Sequence, residues 1–101
     1  PRSVAPRLAE VVAAARADAA RRTGVAAAQL QLISADAVTW PDGSLGCPAP
    51  GRMYTQALVP GYRVRIAAAG QVLNYHASEQ GLPALCPSAQ AREPLSGASR
   101  Q

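Results

Sequence analysis

The sequence predicts an α+β domain: one N-terminal amphipathic helix packed on a three- or four-stranded antiparallel sheet, with one disulfide as its cross-link. Three observations lead there. Apolar residues recur at helical spacing near the start, a later segment forms a hairpin whose two strands agree on one register, and both Cys residues stand beside Pro in loop-like surroundings.

The helix comes first. Residues 1–5 are expected to fray, with Ser3 able to cap a helix that carries Pro6 in its first turn, where the missing N–H is harmless. Leu8, Val11, Val12, Ala15 and Ala19 recur at spacings of three and four and form one apolar stripe, while Arg7, Glu10, Arg16, Asp18 and Arg21 fall outside it. Thr23-Gly24-Val25 is a stop signal, because Gly24 tolerates the left-handed C′ position and Val25 can fold back on the last turn. Ala26 to Gln29 can add one further helical turn.

From Leu30 the period changes to two. Residues 30–40 read as a strand in which Leu30, Leu32, Val38 and Trp40 share a parity; Ile33 has the other, and a bulge near Ser34 to Asp36 would bring it inward. Pro41-Asp42-Gly43 is turn chemistry. Cys47-Pro48-Ala49-Pro50-Gly51 excludes helix and makes a poor strand. Met53 to Val59 can return as a strand or stay irregular. Tyr62 to Ala77 is the clearest hairpin: a two-residue turn at Ala69-Gly70 pairs Ile66 with Leu73, Val64 with Tyr75 and Tyr62 with Ala77 on an apolar face. Arg63 opposite His76 and Arg65 opposite Asn74 occupy the other face, which is expected to meet water. Residues 6–87 thus form the single domain, and the Ser-, Pro- and charge-rich residues 88–101 are expected to be disordered.

Composition narrows the function. Hydrophobic residues make up 49% of the 101, but many are Ala and Phe is absent, so each large apolar side chain carries an unusual share of the core. Mean hydropathy is −0.02, and no apolar run approaches the ~18 residues needed to span a bilayer. All ten basic residues are Arg, giving a net charge of +4, yet they are scattered and lack the stripe that tracking a phosphate backbone requires. Nucleic acid is therefore not an expected partner.

Cys47 and Cys86 show no CxxC spacing, and with His76 as the sole His no metal site and no cofactor are expected. In an exported protein the natural reading is one disulfide, and closing a loop of about 40 residues contributes roughly 4 kcal/mol in the chain-entropy model. Two reduced cytosolic thiols are the other reading. The chain opens without a charged n-region and apolar h-region, so export would mean that a signal peptide has been removed.

The stretch from Trp40 to Tyr62 concentrates the special residues: the single Trp, the single Met, four of the nine Pro and four of the eight Gly. With its surroundings, it resembles a family of small exported bacterial proteins of unknown function. The likeness is carried by the RRTGV helix end, Ala37 to Pro48 (AVTWPDGSLGCP), Pro50-Gly51, Tyr54-Thr55-Gln56, Pro60-Gly61-Tyr62-Arg63, Tyr75-His76 and the later Cys86. The resemblance implies an exported or surface-tethered location and paired Cys residues; it implies no activity. Cystatin-like and PepSY-like modules share the helix-on-sheet shape, an analogy of architecture alone.

Candidate sites follow from side-chain chemistry. His76 is the sole acid–base group near neutral pH, but its register partner Arg63 would depress its pKa, and a Cys47–His76 nucleophilic couple requires the disulfide to be absent. A structural role, with a bond to the central loop, is expected instead. Asp36 and Asp42 flank Trp40, but Asp42 after Pro41 suits a turn, and Ser44 in GSLG lacks the GxSxG elbow. No catalytic residue is expected.

Trp40, Tyr62 and Tyr75 are expected in the core, with an aromatic groove for a peptide or glycan as the competing view. The sharpest functional expectation is a peptidase inhibitor acting through Gly46, Pro48, Pro50, Arg52, Met53 and Tyr54, because a loop stiffened by Pro and anchored at Cys47 loses little entropy on docking. Its partner would be a secreted peptidase or another extracytoplasmic protein.

Overall fold

The computed structural model describes residues 4–97. Helix α1 (Val4–Thr23) leads through a single 3-10 turn (Ala27–Gln29) into β1 (Gln31–Trp40). After the central loop come β2 (Val59–Ala68), β3 (Gln71–Ser78), β4 (Ala84–Cys86) and the two-residue β5 (Ser96–Gly97). One helix therefore packs on a four-stranded antiparallel sheet, extended at its edge by β5, in the order β4-β3-β2-β1-β5.

The helix buries the stripe that its spacing marked. Val11, Ala15 and Ala19 are buried against Tyr62, Val64, Ile66, Leu73, Tyr75 and Ala77, with Leu8 and Val12 at the margin. Ala at 15 and 19 leaves no bulk between helix and sheet, so the helix can sit close to the strands. Gly24 ends it at φ +75°, donating its N–H to the Ala20 carbonyl at 2.9 Å. The Tyr75 hydroxyl, on the sheet, donates to Asp18 on the helix at 2.7 Å. Burial first, and that bond second, push the Tyr75 pKa up. Val4 and Ala5 lie within the helix; Ser3 and its expected capping role fall outside the described residues.

The β2–β3 register is the one the hairpin predicts, with Ile66 on Leu73, Val64 on Tyr75, Tyr62 on Ala77, Arg63 on His76 and Arg65 on Asn74. In β1 the register shifts between Leu32 and Ser34, so Ile33 is the extra residue. This corrects the expectation for Ile33, which the bulge leaves 50% exposed instead of turning inward. The bulge also divides the shared parity. Leu30 joins the helix-side core, whereas Asp36, Val38 and Trp40 face the opposite side of the sheet.

That opposite side is covered, contrary to the expectation that Arg63 and His76 meet water: they are 8% and 3% exposed. The central loop from Pro41 to Leu58 and the segment after Cys86 lie over it. Met53 to Leu58 stay irregular, and β2 begins at Val59. Residues 87–95 are bonded to one another, to the loop and to β1 and β2. Pro87 accepts from the Gln90 N–H at 2.9 Å, Arg92 N–H bonds Gly46 O at 2.8 Å, Leu95 N–H bonds Thr39 O at 2.8 Å, and Glu93 pairs with Arg63 at 2.9 Å. These links are made mostly by backbone groups and one carboxylate, which need no apolar content. Residues 98–101 lie outside the described residues.

The hairpin turn holds Ala69 at φ +53° and Gly70 at φ +78°, so Ala69 occupies a left-handed position that favours Asn or Gly. Replacing Ala69 by Asn is expected to raise the unfolding free energy by about 1 kcal/mol. Urea denaturation checks it, and an unchanged or lowered midpoint counts against the turn as described.

Candidate functional site

The covered face of the sheet and the loop above it form one unit, built outward from Trp40. Its indole is fully buried and stacks on the His76 ring, with centroids 4.5 Å apart and planes 26° from parallel. The indole N–H donates to the Ala77 carbonyl at 3.1 Å. Two glycines make room for it. A side chain at Gly46 would run into the indole, and one at Gly61 would meet the Ala77 carbonyl first and the indole next, so the loop and β2 approach the ring as bare backbone.

The loop is then fixed turn by turn. Asp42 accepts from the Ser44 N–H at 2.9 Å and from its hydroxyl at 2.7 Å, the turn role expected of it. Those two bonds hold the Asp42 carboxyl below its ordinary pKa. Leu45 (φ +57°) and Gly46 (φ +73°) follow in the left-handed region, a conformation costing a non-Gly residue roughly 1 kcal/mol. The turn brings the Leu45 carbonyl to His76 Nδ1 at 2.7 Å, so Nδ1–H donates and the neutral ring carries its proton there. This is the structural, loop-bonded His that the sequence suggested. Its pKa is depressed, by burial first; the Leu45 bond opposes the shift, and the Arg63 charge adds to it.

Cys47 and Cys86 are joined, which staples the loop to β4. Neither sulfur is a thiolate, so no Cys47–His76 nucleophilic couple exists. Beyond the staple, Arg52 N–H bonds the Ala49 carbonyl at 3.2 Å across a turn with Gly51 at φ +79°. Ala49 N–H donates to the Tyr54 hydroxyl at 3.0 Å, and Gly43 N–H bonds Thr55 O at 2.8 Å. The Arg52 guanidinium lies 5.8 Å from the centre of the Tyr54 ring.

Of the six loop residues singled out from sequence, Gly46 is buried under the indole, Pro48 and Tyr54 are half-buried, and Pro50, Arg52 and Met53 are exposed. Met53 is 94% exposed, the most exposed large apolar residue among those described, with Leu58 also outward in the same loop. The aromatic groove is not formed as imagined. Trp40, Tyr62 and Tyr75 are all buried, leaving Tyr54 alone partly accessible.

Sequence reasoning missed the polar cluster beside this unit. Arg63, buried, is opposite Asp36 in the β1–β2 register and reaches Glu93 beyond β4. Arg63 hydrogen-bonds and attracts the Glu93 carboxylate, drawing its pKa down. Asp36 Oδ2 and Arg63 Nε are buried without a partner. One signal could have pointed there. Asp36, Val38 and Trp40 alternate on one strand face, and a buried Trp on that face implies a cover for its neighbours.

Residues 12–86 match the profile described as Domain of unknown function (DUF8738). The chain belongs to that family. The DUF8738 match takes in most of α1, strands β1 to β4, the whole loop and both bridged Cys residues, and it ends at Cys86. No curated protein and no solved structure matches the chain. No helix among the described residues is long and apolar enough to cross a membrane. The disulfide is compatible with an extracytoplasmic location.

The buried His76 makes stability depend on pH. Its folded pKa is below the ordinary value of 6.5, so the unfolded chain takes up the proton first as pH falls. Stability is full above about 6.5 and declines as pH drops toward the folded pKa. Urea titrations at stepped pH are expected to show this decline in the wild type and a flatter profile in His76→Gln; equal slopes would place the acid sensitivity elsewhere.

Proposed function

We propose that this DUF8738 domain is an exported, non-enzymatic binding module whose contact element is the stapled loop around Met53, and that its partner is a secreted peptidase which it inhibits. The observation that carries the reading is Met53 at 94% exposure on a loop held by the disulfide, by His76 under Leu45, and by the Gly43–Thr55 bond. A large apolar side chain left in water on a restrained segment has a low conformational cost of docking, which is what an inhibitory loop needs.

The chemistry of the loop favours an apolar primary pocket. Met53 stands free, whereas the Arg52 guanidinium is partly occupied by the Tyr54 ring. A chymotrypsin- or subtilisin-like enzyme therefore fits better than a trypsin-like one. The Pro residues at 48 and 50 and the cross-loop bonds would keep a cleaved or bound loop from springing open. Export is supported by the disulfide, which persists in oxidising compartments.

Steady-state assays with a panel of serine peptidases test this. The domain is expected to slow an apolar-specific enzyme and to remain intact, with Met53→Leu retaining inhibition and Met53→Asp losing at least about tenfold in affinity. Unchanged peptidase rates at high micromolar domain, or rapid cleavage between Arg52 and Tyr54, would exclude inhibition through this loop.

A further inference from the structure

Oxidisable side chains are few in this chain, and the fold hides nearly all of them. Both Cys residues are in the disulfide, so no thiol is available among the described residues. The single Trp is fully buried beneath the loop, and His76 is buried beside it. Tyr62 and Tyr75 are in the core, and the hydroxyl of the half-buried Tyr54 accepts the Ala49 N–H. One soft, nucleophilic atom remains in open water: the thioether sulfur of Met53, in the single Met of the chain, on a residue 94% exposed.

We propose that Met53 is a redox-modification site, at which a peroxide-class oxidant converts the thioether to the sulfoxide and thereby changes the loop's outermost contact from apolar to polar. In the reaction a sulfur lone pair attacks one peroxide oxygen and the O–O bond breaks. The sulfur gains one oxygen and is oxidised by two electrons, the proton on that oxygen passes to the departing oxygen, and the peroxide is reduced and leaves as water, or as an alcohol from an organic hydroperoxide. Thiol-dependent sulfoxide reductases reverse the step: two thiols become a disulfide, the oxygen leaves as water and the thioether is restored.

The surroundings suit such a switch. Met53 lies outside the buried Trp40–Gly46–His76 contact and outside the core, so adding an oxygen to it disturbs neither. Its consequence for docking rests on the loop reading above: a sulfoxide entering an apolar pocket would have to shed water from a strongly polar S–O group.

The test treats the folded chain with hydrogen peroxide and follows intact mass, with peptide mapping. The wild type is expected to gain one oxygen, located at Met53, at a rate within about threefold of a free methionine derivative, and Met53→Leu is expected to gain none. Equal uptake by Met53→Leu, or uptake by the wild type only after unfolding, overturns the assignment. The mass readout needs no partner, so it stands apart from the proposed function. A second readout compares oxidised and untreated wild type against an apolar-specific peptidase. Inhibition lost on oxidation and restored by a sulfoxide reductase supports the switch; inhibition unchanged by complete oxidation overturns it. If untreated protein inhibits nothing, the loop reading falls, and the modification site is decided by mass alone.

Discussion

The indole of Trp40 lies between the loop at Gly46 and the strand at Gly61, with His76 stacked on its face and the Ala77 carbonyl bonded to its N–H. Most of the chain beyond the helix-side core depends on that arrangement. A buried ring of this size contributes more apolar burial than any other side chain here, in a protein without Phe. It forces Gly at 46 and, together with the Ala77 carbonyl, Gly at 61. It also requires a cover, and the cover is the Pro- and Gly-rich segment that carries the exposed Met53.

The domain is thus two-sided. On one face of the sheet an Ala-rich helix packs closely, so a modest set of Val, Ile, Leu and Tyr side chains suffices. On the other a loop without regular structure replaces a second layer, and irregular backbone cannot satisfy itself by a ladder. Its polar groups are satisfied one at a time instead, through Asp42, His76, Tyr54 and the Gly43–Thr55 bond, with the disulfide limiting how far the loop can open. An apolar side chain exposed on a restrained loop loses little conformational entropy on docking, and that is the physical argument for proposing the function there, in a family whose description names none.

Much of this was legible from residue order. Helix α1 and its Gly24 stop, and the β2–β3 register, were readable because each rests on local periodicity or a short turn. The buried Trp40, the loop-bonded His76 and the turn role of Asp42 followed from residue chemistry. What failed was nonlocal. The one-residue bulge at Ile33 changes which face the rest of β1 presents, and no propensity marks its position. Once Trp40 faces away from the helix, Arg63 and His76 must be buried with it, although their alternation alone reads as a wet face. The attachment of residues 88–97 escaped for the same reason, since Glu93 finds Arg63 across 30 positions of sequence.

The central claim is that the loop is held in one conformation while its outer side stays in water. Amide hydrogen exchange of the disulfide-bonded, native protein tests it most directly. The account predicts protection at the Gly43, Cys47 and Arg52 amides, each bonded to a backbone carbonyl, beside fast exchange at Met53. Exchange at unprotected rates across 43–56, with β2 and β3 still protected, would contradict it: the loop would then be a mobile tether, and neither preorganised docking nor its proposed redox control could rest on it.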